Sequence, residues 1–242
     1  MKRGLARLFF YLSILVTAIF ILSGYGYQWG IWELGTGFTL LRYGAYTAVG
    51  LLFVQTIFFF FMKESGIMVK AMVLVGFLLT LGVTATGVYW QYKSHGSPPI
   101  HDITTDLDSP PEFVAMARLR MDAPNPPEYA GEETARQQRQ AYPHIQPLTV
   151  DLGKQEVIDE IVHLIANRGW DMVSINRKDG RVEATEKLPW FGFKDDVVLR
   201  IEETDEGTRI DMRSKSRIGR GDLGVNADRI GQFLRDLEGR VN

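Results

Sequence analysis

The stretch AMVLVGFLLTLGVTATGVYW, residues 71–90, contains no Asp, Glu, Lys or Arg, and the chain after it is of a different character. A helix rises 1.5 Å per residue, so about 20 residues cross the roughly 30 Å of hydrocarbon in a bilayer. The run YGAYTAVGLLFVQTIFFFFM, residues 43–62, has the same length and the same lack of charge. A third run, LFFYLSILVTAIFILS at residues 8–23, reaches spanning length when counted from the preceding turn, with Arg7 snorkelling to the interface. The expectation is a membrane domain over residues 1–92, with three transmembrane helices at about 5–23, 43–62 and 71–90. Its first partner is the lipid bilayer.

Lys2, Arg3 and Arg7 ahead of an apolar run also fit a secretory leader. However, Ser23-Gly24-Tyr25-Gly26-Tyr27 gives no small-residue cleavage site, and two more spans follow, so a retained anchor is expected. Lys2, Arg3, Arg7, Lys63 and Lys70 fall on one side of the spans, against Arg42 and Lys93 on the other. The positive-inside rule then predicts a cytoplasmic N-terminus and an extracytoplasmic C-terminal part. Tyr25, Tyr27, Trp29 and Trp32 at the exit of the first span, and Tyr89, Trp90 and Tyr92 at the exit of the third, read as interface aromatics.

Gln55 and Thr56 lie mid-span in the second helix, and Thr80, Thr84 and Thr86 lie in the third. They are expected to bond between helices or back to their own helix. No ionisable group lies inside a span, which disfavours ion or proton transport. Gly76, Gly82, Ala85 and Gly87 suit close helix contact.

The net charge of −2 argues against a nucleic-acid binder. The absence of Cys excludes disulfides, thiolate catalysis and Cys-ligated metals. Nine of the ten prolines fall between Pro98 and Pro147, so residues 93–147 read as a neck without regular sheet or a long helix. The neck either wraps over the domain that follows or spaces it from the bilayer. A short helix is expected around Gly131 to Ala141, where good helix formers cluster.

From Leu148 the pattern sharpens into a soluble domain, residues 148–242. Val157, Ile158, Ile161, Val162 and Ile165 line one face of a helix over Lys154 to Arg168, which Gly169 closes. Strands are expected at Trp170 to Asn176, Arg181 to Leu188, Lys194 to Glu203 and Thr208 to Ile218. Lys178-Asp179-Gly180 and Thr204-Asp205-Glu206-Gly207 form turns. A last helix from Asn226 to Glu238 turns Ile230, Phe233, Leu234 and Leu237 inward. Hairpin-linked strands make an antiparallel sheet of four strands, or five with Leu148 to Leu152, and the two helices cover one face. The fold class is α+β.

The most distinctive text runs from Asp211 to Asn226, where a strand ends, a glycine-rich loop follows and a helix opens. Arg213, Ser214, Ser216, Arg217, Gly219, Asp222, Gly224 and Asn226 form an R-S-x-S-R-x-G-x-x-D-x-G-x-N order. Together with Phe193 to Val198, Ile100 to Asp106 and the three spans, this text resembles the domain-of-unknown-function family 1499. The resemblance covers nearly the whole chain. It implies a bacterial envelope protein, with related plastid proteins in plants, and it brings no catalytic assignment.

Gly219, Gly221 and Gly224 match G-x-G-x-x-G, but a dinucleotide site needs a parallel βαβ unit and a second strand, and the sequence ends after one helix. Arg220-Gly221-Asp222 as an adhesion triplet is a coincidence of short text. Two readings stand for the loop. Arginines beside a helix N-terminus can grip a phosphate headgroup or other anion. Alternatively Asp211, Asp222, Asp195 and Asp196 neutralise them in a structural network, since Asp211, Arg213, Lys215 and Arg217 share one strand phase. His101 with Asp102 or Asp106 is the candidate for envelope hydrolase chemistry. Ser214 and Ser216 need a histidine brought to them in space to act as nucleophiles. No His spacing marks a metal site, and no cofactor is expected. The leading expectation is binding or envelope maintenance without catalysis, the partner being an envelope protein or an anionic amphiphile.

Overall fold

The computed structural model describes residues 2–61 and 65–241 and divides them into two compact units. Met62, at the end of the expected second span, and Lys63, one of the basic residues used for orientation, lie outside the described residues.

The first unit comprises residues 1–92 together with Pro189–Gly192. Its helices are α1 (Lys2–Gln28), α2 (Leu34–Phe60) and α3 (Ile67–Gly96), the last running on past the unit's end. All three are long and apolar enough to cross a membrane. α1 and α3 extend beyond their charge-free runs at both ends, whereas α2 begins well ahead of its run and ends at Phe60. Small residues set the contact between α1 and α2: Gly44 and Ala48, one turn apart, face Phe20 and Val16. A polar triad joins all three helices inside this unit. Gln55 Nε2 donates to Ser13 Oγ at 2.8 Å, and Thr80 Oγ1 donates to Gln55 Oε1 at 2.8 Å. Gln55, Thr80 and Ser13 are fully buried, so these three polar side chains serve helix association. Thr56 and Thr86 bond back to the carbonyls of Leu52 and Gly82.

The second unit holds the sheet. Its strands are β1 (Asp102–Thr104), β2 (Leu148–Val150), β3 (Asp171–Asn176), β4 (Arg181–Lys187), β5 (Lys194–Thr204) and β6 (Gly207–Ser216). Its helices are α4 (Ala115–Leu119), α5 (Glu132–Ala141), α6 (Lys154–Asn167) and α7 (Val225–Val241). All strand pairs are antiparallel, in the order β1-β6-β5-β4-β3, with β2 pairing β6 beyond the end of β1. The sheet therefore has six strands, one more than the largest number expected. The extra strand is β1, drawn from the proline-rich neck: Ile100 to Thr105 contains no proline, which leaves its amides free to pair.

Period-two alternation sends the two strand phases to opposite layers. Val197, Leu199 and Ile201 of β5 and Ile210 and Met212 of β6 pack against Val157, Ile158, Ile161 and Ile165 of α6 and Ile230, Phe233 and Leu237 of α7. This is the apolar core. The other phase is just as buried but charged: Asp196, Asp211, Arg213 and Lys215 are all at most 1% exposed. Neck residues cover it, with Phe113 and Met116 packed on Val198. The neck wraps over the domain as a third layer.

The outer edge of β1 is sealed by one side chain. Gln138 of α5 accepts from the Thr104 amide at 3.1 Å and donates to the Thr104 carbonyl at 2.6 Å, as a neighbouring strand would.

Candidate functional site

Two carboxylates organise the charged layer. Asp102, on β1 opposite Lys215 of β6, receives Arg213 through Nε to Oδ1 at 2.8 Å and Nη2 to Oδ2 at 2.9 Å. Lys215 Nζ stands 3.1 Å from Asp102 Oδ2, and the Ala130 amide donates to the same oxygen at 3.1 Å. Asp196, on β5, receives Arg120 Nη1 at 2.7 Å, Arg217 Nε at 2.8 Å and Nη2 at 2.9 Å, and the Thr185 hydroxyl at 2.7 Å.

Four cations, Arg120, Arg213, Lys215 and Arg217, thus meet two carboxylates. Backbone carbonyls satisfy most of the surplus donors, and the buried Nε of Arg120 is left without an acceptor among the described residues. Arg213 donates to the carbonyls of Pro111 at 3.1 Å and Pro127 at 3.0 Å, and Lys215 to that of Glu128. Arg120 donates to the carbonyls of Lys215, Ser216 and Asn125, and Arg217 to that of Leu119. The composition of the neck explains this role. A proline-rich strap forms little regular structure, so its carbonyls remain free to accept from guanidinium and ammonium groups. Phe113 lies under both guanidinium groups, 4.8 Å from that of Arg213 and 5.4 Å from that of Arg120. Burial pulls the Lys215 ammonium below its ordinary range, opposed by the attraction of Asp102.

A third carboxylate, Asp211, binds Arg200 at 2.9 Å and Arg209 at 2.9 Å, and Asp106 shares both arginines. Burial raises the Asp106 carboxyl, but hydrogen bonds from the Ser109 amide, Arg200 and the Asp108 amide more than offset it and hold the group below its ordinary value. Glu183, fully buried, accepts the amides of Val114, Ala115 and Met116 at the start of α4.

On the helix-covered face a separate cluster ties β6 to α7. Arg229 of α7 binds Asp195 at 2.6 Å and Glu186 at 2.5 Å. Ser214 Oγ donates to Asn226 Oδ1 at 2.7 Å, and Asn226 Nδ2 donates to Ser216 Oγ at 3.0 Å and to the His101 carbonyl at 3.0 Å. The start of α7 is already held by a carboxylate: Asp222 accepts the amides of Gly224 at 3.0 Å and Asn226 at 2.6 Å. Burial pushes this carboxyl up. Leu223 at φ 59° and Gly224 at φ 81° turn the chain into that cap. Gly219, at φ 102°, presents its carbonyl to Asn125 Nδ2 at 2.9 Å.

The residues marked in the sequence therefore separate into two groups on opposite faces. Arg213, Arg217, Asp196 and Asp102 lie under the neck, while Ser214, Ser216, Asp195 and Asn226 lie with α7, and Asp222 caps that helix. Asp195 and Asp196 point opposite ways, as adjacent strand residues must. The same rule divides His101 from Asp102. His101 Nδ1 stands 3.2 Å from the Arg220 carbonyl, whereas the Asp102 carboxylate is committed to Arg213 and Lys215.

Arg120 and Arg229 were missed as site residues. Arg229 carried a signal, since it sits four residues before Phe233 on the inward stripe of α7. Arg120 carried none. Among the described residues no group of three His, Cys, Asp or Glu is arranged to hold a metal ion.

The family model described as "Protein of unknown function (DUF1499)" matches residues 102–237, from Asp102 through most of α7. This is more than half of the chain, and the chain belongs to that family. No curated protein matches it.

Proposed function

We propose that this member of the DUF1499 family is an inner-membrane protein that acts by binding, without catalysis, and presents its α+β unit on the extracytoplasmic side. The observation that supports this reading most strongly is the commitment of the conspicuous polar residues. Asp102, Asp196 and Asp211 each neutralise two cations within the fold, and apart from Nε of Arg120 and of Arg200 the buried donors of their arginines find acceptors there too. Such a layer rigidifies a domain, and leaves its outer surface to meet a partner. The envelope side follows from Lys2, Arg3, Arg7, Lys63 and Lys70 against Arg42 and Lys93. The partner is an envelope protein or an anionic amphiphile.

The alternative of an envelope hydrolase using His101 has less support, because neither Asp102 nor Asp106 is oriented toward the imidazole. An anion site at the loop from Arg213 to Gly224 has less support too, because Asp222 occupies the helix N-terminus. Purification of the full chain in mild detergent, followed by mass spectrometry of retained lipids and proteins, tests the binding role. Turnover of ester or phosphate substrates that disappears in His101→Ala would replace it with the hydrolase.

A further inference from the structure

The four residues Pro189–Gly192 belong to the first unit although about a hundred residues separate them from its helices. The Trp190 indole donates to the Ile21 carbonyl at 2.8 Å, and Gln28 Nε2 donates to the Pro189 carbonyl at 2.9 Å. These bonds bracket the end of α1, a rise of about 10 Å. Over that rise the helix passes from its apolar run into Tyr25 and Tyr27. Trp190 lies 5.2 Å from Phe20, and Phe191 stacks on Phe38 at 5.3 Å and tilts against Tyr27 at 6.3 Å. α1 is cut away to receive them: a Cβ on Gly24 would stand 2.5 Å from Trp190 Cδ1 and 2.8 Å from Phe191 Cδ2.

We infer that Pro189–Gly192 is an interfacial membrane anchor that seats at the headgroup level of the bilayer. Trp suits that depth because its ring is apolar and its N–H needs a partner, which the Ile21 carbonyl supplies. The Pro189 carbonyl is likewise satisfied, by Gln28, so neither of these two polar groups enters a water-poor region unpaired.

The natural absence of Cys makes single-site labelling clean. An environment-sensitive fluorophore is placed on Pro189→Cys of the full chain in nanodiscs of phosphatidylglycerol and phosphatidylcholine. A control carries it on Asp205→Cys in the exposed β5–β6 turn. Headgroup and shallow acyl-chain nitroxide lipids should quench the label at 189 several-fold more than aqueous iodide does, and the control should show the reverse. Trp190→Ala with Phe191→Ala should move the label at 189 toward the control pattern, with circular dichroism confirming an intact fold. If that variant does not fold, Gly24→Ala, which crowds the indole, takes its place. Equal iodide quenching at 189 and 205 would overturn the anchor. An unchanged pattern after displacement of the aromatics would overturn it as well.

Discussion

Arg213 of β6 grips Asp102 of β1 through two parallel hydrogen bonds, 2.8 and 2.9 Å long, across 111 residues of sequence. Both side chains are almost completely shielded from water. A buried ion pair can be energetically neutral overall, yet removing one partner leaves the other charge stranded. Asp102→Ala strands Arg213 and Lys215 together and should lower stability by about 3–5 kcal/mol. Chemical denaturation of the full chain in detergent, followed by circular dichroism, measures the loss. Arg213→Lys should also be poorly tolerated, because an ammonium cannot reproduce the bidentate grip.

Gln138 acts as a one-residue substitute for a neighbouring strand. Gln138→Ala leaves the Thr104 amide and carbonyl unpaired and should cost about 1–3 kcal/mol. It also uncovers a sheet edge, so concentration-dependent self-association should appear in light scattering. Unchanged melting together with an unchanged mass distribution would show that α5 does not protect the edge.

Gln55 joins three helices, but its partners keep other acceptors. Ser13 also donates to the Phe9 carbonyl at 2.7 Å, and Thr80 lies 3.1 Å from the Gly76 carbonyl. Gln55→Leu should therefore cost only about 0.6–2 kcal/mol in detergent unfolding of the helices. A much larger loss would point to a polar role beyond association.

The depressed Asp106 carboxyl gives a pH signature. Its folded pKa lies below the ordinary 3.8, so its contribution is fully present above that value and disappears as pH falls through the folded pKa. The stability gap between wild type and Asp106→Asn should be flat near neutrality and should close only below about pH 4. A gap that closes around pH 6 would assign the effect to another group.

Much of this architecture was legible because it rests on periodicity. Uncharged runs of spanning length marked the membrane helices. Alternation placed Ile210 and Met212 on one face of β6 and Arg213 and Lys215 on the other. The sequence does not show what covers the charged face, because the neck has no period to read. Arg120 looks like any surface arginine until the strap folds it onto Asp196. The same limit hid β1, since three residues carry no strand signal apart from their freedom from proline. Adjacent candidates such as His101 and Asp102 looked like a dyad, yet strand geometry sends them to opposite sides.

Arg213 of β6 and Arg217 of the loop after it belong to a structural layer that is complete without a ligand. Thermal melts of the full-length wild type and Arg217→Ala, in phosphate and in chloride at matched ionic strength, test it most directly. Arg217→Ala should be less stable by about 1–3 kcal/mol in both buffers, and phosphate should add nothing specific to wild type. An Arg217→Ala protein as stable as wild type in chloride, but lacking a phosphate-dependent gain that wild type shows, would contradict it and make the loop an anion site.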